Sequence, residues 1–407
     1  MADLLPPEVI TDILSRLPVH SLIRFRCTCK SWRSLIDSTH FILLHLRTSL
    51  SSHSHSTLVL RRDSELYQVN LGTLDRAIEL NHPLMCYSNS IKVLGSCNGL
   101  LCLCNVAEDI ALWNPNIRKH RLLPYLPAER RERDTTLFAA RVYGFGYDSF
   151  SEDYKLVRIS YFVDLHSRTF YSHVKLYSLR VDSWKSLPNM PYGLCCARTM
   201  GVFVGGALHW VVTRKLEPDQ PDLIVAFDLR LESFSEVPLP ETGNVNGNFE
   251  MDVSLLGGCL CMVEHRGSTR IDVWVMEEYG SVDSWCKLFS LTEHHNLRSL
   301  KSVKPLAYSG DGDRVLMEHD HKKLCWYSLK DKVVSEAKIP GMPHLIEATV
   351  YVGTLVPPTL LIKSDGGAKQ KHGDDKGRRR RDDFLSQGFK LTLVSPAVGR
   401  WGLFITC

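Results

Sequence analysis

The sequence lacks the features of secreted and membrane-spanning proteins. It contains no Asn-x-Ser/Thr sequon, and its first residues, Met1-Ala2-Asp3, have neither the positive region nor the apolar run of a signal peptide. No stretch of 18 apolar residues occurs, so we expect no membrane span. The 13 cysteines are therefore expected to be reduced thiols of an intracellular protein, most of them in its core.

The sequence also has little excess of one charge. Its 49 Lys and Arg residues against 45 Asp and Glu give a formal net charge of +4 over 407 residues. A nucleic-acid-binding surface would be expected to carry a broader basic excess. We therefore predict no nucleic-acid partner.

Catalytic and metal-binding motifs are missing as well. There is no G-x-S-x-G elbow, no Walker loop and no H-E-x-x-H. The segment GSCNG at residues 95–99 lacks the Lys-Ser/Thr ending of a phosphate-binding loop, and a turn between strands explains it better. We therefore predict no catalytic residue and no cofactor. We also predict no metal site, because several His and Cys pairs lack further ligands at zinc spacing. These pairs are His53/His55, His319/His321, Cys27/Cys29, Cys102/Cys104 and Cys259/Cys261.

The first 47 residues are rich in apolar side chains and are predicted to form three short helices. Pro6 and Pro7 suit a first helical turn, where the N–H that proline lacks would have no partner. Helices this short are marginal in water unless another surface covers them. The segment is therefore either the start of a bundle or a small module that docks on a partner. One apolar stripe at helical spacing precedes Pro18 and comprises Ile10, Ile13, Leu14 and Leu17.

From residue 58 onwards the sequence is a series of short β-strands that repeats about every 50 residues. A degenerate first unit spans 58–80, and residues 348–356 alternate well enough to return and complete it. Six units of about four strands predict a β-propeller of kelch-like blade length. A two-sheet β-sandwich explains the alternation but not the period. The period is marked by aromatic residues: Trp113, Tyr177, Phe227, Trp274 and Trp326.

The predicted fold class is thus mainly β with a small α N-terminal module. The expected boundaries are 1–47 for the helices, 48–57 for a Ser/His-rich linker, 58–357 for the repeats and 358–407 for a basic, partly disordered tail. Within the tail, the basic run is either a nuclear import signal or a solvated loop, because four aspartates near it neutralise its charge. The run comprises Arg378, Arg379, Arg380 and Arg381.

Both parts resemble one known family. LPPEVITDILSRLPVHSLIRFRCTCKSWRSLI, at residues 5–36, resembles an F-box, and HFILLHL at 40–46 matches its usual continuation. The repeats resemble the F-box-associated domain of plant F-box proteins, since GLLCL, ALWNP, YGFGYD, DSWKSLP, GGALHWV, IVAFDL, LGGCLCM and IDVWVM occur in that order. The closing RRDDFLSQGFKLTL is similar to a tail of members that restrain immune signalling.

The resemblance implies a non-enzymatic substrate receptor of a Skp–cullin–F-box ubiquitin ligase in the cytoplasm and nucleus. A Skp-type adaptor would cover the apolar helices and link them to the cullin, while the propeller would hold a client, with an intracellular immune receptor as the candidate. The alternative is that some of the apolar side chains, Ile13 and Phe25 foremost, pack between the helices instead. The expected adaptor contacts are Leu5, Pro6, Ile10, Leu14, Leu17, Pro18 and Leu22.

Two other functions are weighed against this one. The β domain of an F-box receptor for misfolded glycoproteins would bind glycans and would need exposed aromatic platforms, whereas six of the eight tryptophans fall at repeat positions that favour the core. A propeller enzyme would need an acid/base pair or a metal set, and the motifs provide neither.

Overall fold

A computed structural model describes residues 6–359 except 53–55, 86–89, 128, 130–135, 165, 168, 195–199, 215–221, 241–249, 268, 293–299 and 343–346. The described part of the N-terminal module contains four helices, where three were predicted. They are α1 (Pro7–Ser15), α2 (Val19–Phe25), α3 (Lys30–Ile36) and α4 (Thr39–Ser52).

The unexpected helix is α4, which makes residues 48–52 of the predicted linker helical. Its second half, RTSLSS, consists largely of residues with modest helix propensity. Tertiary packing stabilises it, because α4 lies against α1 and α3 and buries Phe41, Ile42 and Leu46. The helix begins after Ser38, whose hydroxyl accepts a hydrogen bond from the backbone N–H of Phe41 (3.2 Å).

The remaining described elements are six antiparallel sheets, or blades, and one 3₁₀ turn (Val282–Ser284). Blade 1 comprises β1 (Ser56–Arg62), β2 (Glu65–Asn70), β3 (Ile78–Leu80) and the last strand, β25 (Glu347–Val352). Blade 2 comprises β4 (Ile91–Cys97), β5 (Leu100–Asn105), β6 (Ile110–Asn114) and β7 (Lys119–Leu122). Blade 3 comprises β8 (Thr136–Asp148), β9 (Asp153–Asp164), β10 (Thr169–Ser178) and β11 (Ser183–Leu187).

The second half of the ring continues the pattern. Blade 4 comprises β12 (Gly193–Leu194), β13 (Val202–Val204), β14 (Ala207–Thr213), β15 (Leu223–Asp228) and β16 (Ser233–Val237), with β12 and β13 both paired to β14. Blade 5 comprises β17 (Glu250–Leu256), β18 (Cys259–Arg266), β19 (Arg270–Met276) and β20 (Trp285–Thr292). Blade 6 comprises β21 (Val303–Tyr308), β22 (Arg314–His319), β23 (Lys323–Ser328) and β24 (Val334–Glu336).

The blades close into a ring. The first strands of successive blades contact one another in the cycle β25, β4, β8, β13, β17, β21 and back to β25. The strand β25 pairs with β1 from Ser56 opposite Val352 to Arg61 opposite Glu347. The predicted propeller is therefore confirmed, with one blade for each of the six units. The expected return to the first blade is confirmed for residues 347–352, which form β25, while residues 353–356 lie beyond that strand. In the closed ring, neighbouring blades cover both faces of each blade. Consecutive residues of a strand, which point to opposite faces, can therefore both be apolar and buried.

The aromatic period has a structural meaning. Its five markers all lie on the third strand of blades 2 to 6, where they join the apolar clusters between adjacent blades. Trp113, for example, packs with Val59, Leu66 and Tyr351 of blade 1. Within the described part of the chain, no helix is long and apolar enough to cross a membrane.

Candidate functional site

The helix α1 carries one continuous apolar arc that passes from solvent into the core. At 100° per residue, Val9, Ile13, Ile10 and Leu14 follow one another around the helix, and Leu17, two residues beyond its last residue Ser15, continues the same stripe. Val9 and Ile13 are 41% and 48% exposed, Ile10 and Leu17 are half-buried, and Leu14 is 2% exposed. The outer part of this arc is an apolar surface that the described chain leaves uncovered.

Two of the expected adaptor contacts are instead core residues. Leu14 and Leu22 are buried together with Val19, Ile36 and Phe41. Ile13, for which packing between the helices was the alternative, is exposed. The burial of Leu14 has a structural cause, because the unpredicted helix α4 packs against α1 and covers the Leu14 side of the arc.

The other expected contacts lie at or near the surface. Pro6 and Pro18 are exposed, and each stands immediately before a helix with extended backbone (ψ 145°). Ile10 and Leu17 are half-buried against the same cluster as Leu14. Leu5 lies outside the described residues. The accessible surface is therefore built from Pro6, Val9, Ile10, Ile13, Leu17 and Pro18.

One residue that sequence reasoning missed holds this surface in place. The imidazole of His45 on α4 is fully buried, and its Nε2 hydrogen-bonds the carbonyl oxygen of Leu17 (3.0 Å) at the end of α1. That carbonyl has no partner within the helix, so the histidine satisfies an orphan acceptor. The signal was the second histidine of HFILLHL, which stands between two leucines and which periodicity alone assigns to neither face.

The other helices brace the module. Phe25 is half-buried and, in agreement with the alternative, packs between the helices, edge-on to Trp32 with ring centroids 5.4 Å apart. Arg26 forms an ion pair with Asp37 (2.7 Å), which joins the end of α2 to the end of α3. Because both side chains are partly exposed, this ion pair contributes orientation more than stability.

The remaining motifs have structural roles in the propeller. His321 Nδ1 lies 2.7 Å from Glu318 Oε1, whose other oxygen accepts from the N–H of Ala348 (2.7 Å). The turn within GSCNG is formed by Asn98 and Gly99, both with positive φ, as a two-residue hairpin requires. No group of three or more His, Cys, Asp or Glu side chains suited to a metal ion occurs among the described residues. His53 and His55 lie outside them.

The strand cysteines are core residues, in agreement with the interpretation from sequence. Cys102 and Cys104 belong to one apolar cluster, and Cys261 with Cys259 to another. Burial raises the pKa of Cys104 to about 11 and that of Cys261 to about 12, so both thiols remain protonated at neutral pH.

The repeat tryptophans do not form an open aromatic platform. Trp113, Trp210 and Trp285 are buried, and Trp184, Trp274 and Trp326 are half-buried. Two of them tie neighbouring blades: the indole N–H of Trp184 donates to the carbonyl of Pro124 (3.0 Å) and that of Trp285 to the carbonyl of Pro238 (2.9 Å). This use of the indoles as inter-blade links gives no support to a glycan site on them.

The comparisons with known proteins agree with this architecture. Residues 3–44 match the F-box domain, and residues 57–358 match the F-box associated beta propeller domain. The F-box protein CPR1 of Arabidopsis thaliana is 36% identical over 96% of this chain and 99% of its own length. A second Arabidopsis thaliana F-box protein is 32% identical over 95% and 99%. An F-box/kelch-repeat protein of the same plant is 32% identical over 88% and 96%.

The four-helix module, the closed six-bladed ring and the two matched domains identify one family. The chain belongs to the F-box proteins that carry an F-box-associated β-propeller domain.

Proposed function

We propose that this chain is the substrate-recognition subunit of a Skp–cullin–F-box ubiquitin ligase. Its helices bind a Skp-type adaptor and through it the cullin, and its propeller binds a client protein. The chain itself performs no chemistry: it raises the effective concentration of client lysines near the conjugating enzyme. Other subunits carry out ubiquitin transfer.

The observation that carries the proposal is the uncovered apolar arc on α1. Val9 and Ile13 are large apolar side chains that remain exposed, Ile10 and Leu17 are half-buried beside them, and Leu14 is the buried member of the arc. An exposed apolar surface of this kind marks a protein interface. Transfer of such side chains from water contributes about 1.5–3 kcal/mol each when burial is complete.

The test is co-purification of the full chain with a Skp-type adaptor. We expect the wild type to bind and the double variant Val9→Asp, Ile13→Asp to lose binding by at least about tenfold, because two unpaired carboxylates would be buried in the interface. The matched control is Val106→Asp, which places the same charge at an exposed valine of the propeller turn between β5 and β6.

Two results would contradict the proposal. One is a wild-type chain that does not bind the adaptor. The other is a folded Val9→Asp, Ile13→Asp variant that binds as tightly as the Val106→Asp control. Leu14 and Leu22 are unsuitable for this test because a charge at either position would unfold the module itself.

A finer proposal concerns the client and the compartment. We propose an intracellular immune receptor as client, on the resemblance of RRDDFLSQGFKLTL to the tail of members that restrain immune signalling, and a location in cytoplasm and nucleus. Residues 378–381, the candidate import signal, lie outside the described residues. Co-expression with such a receptor, in the presence and absence of proteasome inhibition, tests the client. An unchanged receptor level would contradict it.

A further inference from the structure

Three adjoining turns of blades 3 and 4 each expose an apolar side chain at the tip. The turn between β8 and β9 carries Phe150, the turn between β10 and β11 carries Val181, and the turn between β15 and β16 carries Leu231. These side chains are 70%, 70% and 71% exposed, the highest values among the large hydrophobic residues of the described chain. We call the three turns the blade 3/4 patch.

Hydrogen bonds fix the first two turns to each other. The guanidinium of Arg180 donates to the carbonyl of Ser151, and the backbone N–H of Arg180 donates to Asp153 (2.8 Å). Asp153 also accepts from the hydroxyl of Ser178 (2.5 Å), which in turn accepts from the N–H of Val181 (3.2 Å). Phe150 and Val181 therefore project from one braced unit.

A buried lysine fixes the third turn to the first. Lys155 donates to the carbonyl of Leu229 (2.6 Å) and forms ion pairs with Asp148 (3.0 Å) and Glu232 (3.3 Å). The guanidinium carbon of Arg230 lies 3.9 Å from the centroid of the Phe150 ring. Because the side chains at the tips are presented on an already ordered frame, little conformational entropy remains to be lost on binding.

The charges of the patch that are both exposed and unpaired are two arginines and one acid. Among its acids, Asp148 and Glu232 are paired with Lys155, and Asp182 is paired with Arg121 (2.6 Å). Asp153 and Asp228 form no ion pair within the described chain, but their carboxylates are not exposed and accept backbone N–H groups within the turns. Arg180 and Arg230 are exposed and form no ion pair with any described carboxylate, and Glu152 is the exposed acid of these turns of which the same is true. Two arginines thus flank three apolar tips.

We infer that the blade 3/4 patch binds a peptide segment of a partner protein that combines apolar side chains with acidic ones. The apolar residues would cover Phe150, Val181 and Leu231, and the carboxylates would lie against Arg180 and Arg230. Arginine and aromatic side chains such as Phe150 are enriched at protein interfaces. The inference rests on the proposed function, since the partner would be a client.

The position of the patch agrees with this role. Turns between first and second strands, and between third and fourth, lie on one face of a propeller. The chain passes from α4 into β1 at Ser56, opposite Val352 at the end of the first strand of blade 1, so it enters from the same face. A second copy of the chain fits less well, because two patches placed face to face would bring their arginines together.

The test selects peptides from a random dodecamer phage-display library on the full chain. We expect enrichment of peptides with apolar residues beside Asp or Glu. The double variant Phe150→Ser, Leu231→Ser should bind them about tenfold or more weakly. The matched control, Val333→Ser, changes an exposed valine in the corresponding turn of blade 6 and should leave affinity within about twofold.

Charge reversal tests the arginines. The double variant Arg180→Glu, Arg230→Glu should no longer bind the selected peptides. It should instead bind versions of these peptides in which each acidic residue is replaced by lysine. The inference is overturned if no acidic–apolar class is enriched, if the selected peptides bind the serine variant as tightly as Val333→Ser, or if the wild type is a dimer that the serine variant converts to monomer. The same variants are also tested for co-purification with the adaptor. If they bind the adaptor but the peptide results fail, the inference about the patch is wrong while the proposed function stands.

Discussion

The imidazole of His209, in the motif GGALHWV, is fully buried between blades 4 and 5. Its Nδ1 donates to the carbonyl of Val202 (2.9 Å), which leaves Nε2 to accept from the hydroxyl of Tyr279 (2.8 Å). Burial raises the pKa of Tyr279 to about 12, so the hydroxyl keeps its proton. One neutral tautomer therefore gives hydrogen-bond partners to both ring nitrogens, to the Val202 carbonyl and to the Tyr279 hydroxyl.

The same burial makes this residue sensitive to pH. It lowers the pKa of His209 to about 4, against the opposing effect of the Val202 hydrogen bond. An unfolded histidine titrates near pH 6.5, so between these values the unfolded chain binds more protons. The contribution of His209 is fully present above about pH 6.5 and declines as the pH falls toward 4, by up to about 3 kcal/mol.

We predict that His209→Asn lowers the free energy of unfolding at pH 7.5 by about 1–3 kcal/mol, since the Tyr279 hydroxyl loses its acceptor. Between pH 6.5 and 5 the variant should lose less stability than the wild type, because the proton-binding group is gone. Urea unfolding at pH 7.5, 6.5 and 5 measures both effects. His166→Asn, at an exposed turn, is the control. Parallel pH profiles of variant and wild type would contradict the prediction.

At the scale of the element, the apolar stripe of α1 has two sides, one buried in the helical module and one exposed to solvent. Leu14 anchors the helix to α4, and Ile13, its neighbour in sequence, faces solvent. The division is set by α4 and by the His45 hydrogen bond to Leu17, not by the composition of α1.

This division gives a matched pair of variants. We predict that Leu14→Ala destabilises the helical module by about 2–5 kcal/mol, because it removes buried methyl groups and leaves a cavity. Ile13→Ala should change its stability by less than about 1 kcal/mol and weaken adaptor binding instead. Amide hydrogen exchange of α1 to α4 measures the first effect, and adaptor affinity the second. Equal loss of amide protection in both variants would contradict the assignment.

At the scale of the whole molecule, the ring is locked where blade 2 meets the segment that follows β25. The side-chain amide of Asn114, in the motif ALWNP, donates to the carbonyls of Thr354 and Val356 (both 2.9 Å). The hydroxyl of Thr354 donates to the carbonyl of Asn98 (2.9 Å). Gly99 leaves room for this contact, since a Cβ there would lie 2.1 Å from the Thr354 hydroxyl. Blade 2 thus holds the segment that follows the closing strand.

We predict that Asn114→Ala destabilises the whole propeller by about 2–4 kcal/mol, because it leaves two buried carbonyls without a donor. Loss of the lock should lower the urea midpoint of all six blades together rather than that of blade 2 alone. Tryptophan fluorescence and far-UV circular dichroism follow the transition. Asn189→Ala, at an exposed position, is the control and should shift the midpoint little. A midpoint equal to that of the control would contradict the lock.

The sequence by itself determined the architecture. Period-2 alternation, turn residues and aromatic markers every 50 residues are local signals, and they predicted six blades, the return of the last strand and the core role of Cys102 and Cys261. The apolar stripe of α1 could also be predicted from the sequence, because its spacing depends only on helix geometry.

Tertiary structure alone decided which side of that stripe faces out. Residues 39–52 have weak helical signals and fold as α4 through packing, so neither the burial of Leu14 nor the role of His45 was readable. The locking contacts of Asn114 and the grouping of Phe150, Val181 and Leu231 join residues up to 242 positions apart in sequence. Periodicity describes neighbours along the chain, and contacts at such separation exist only once the ring has closed.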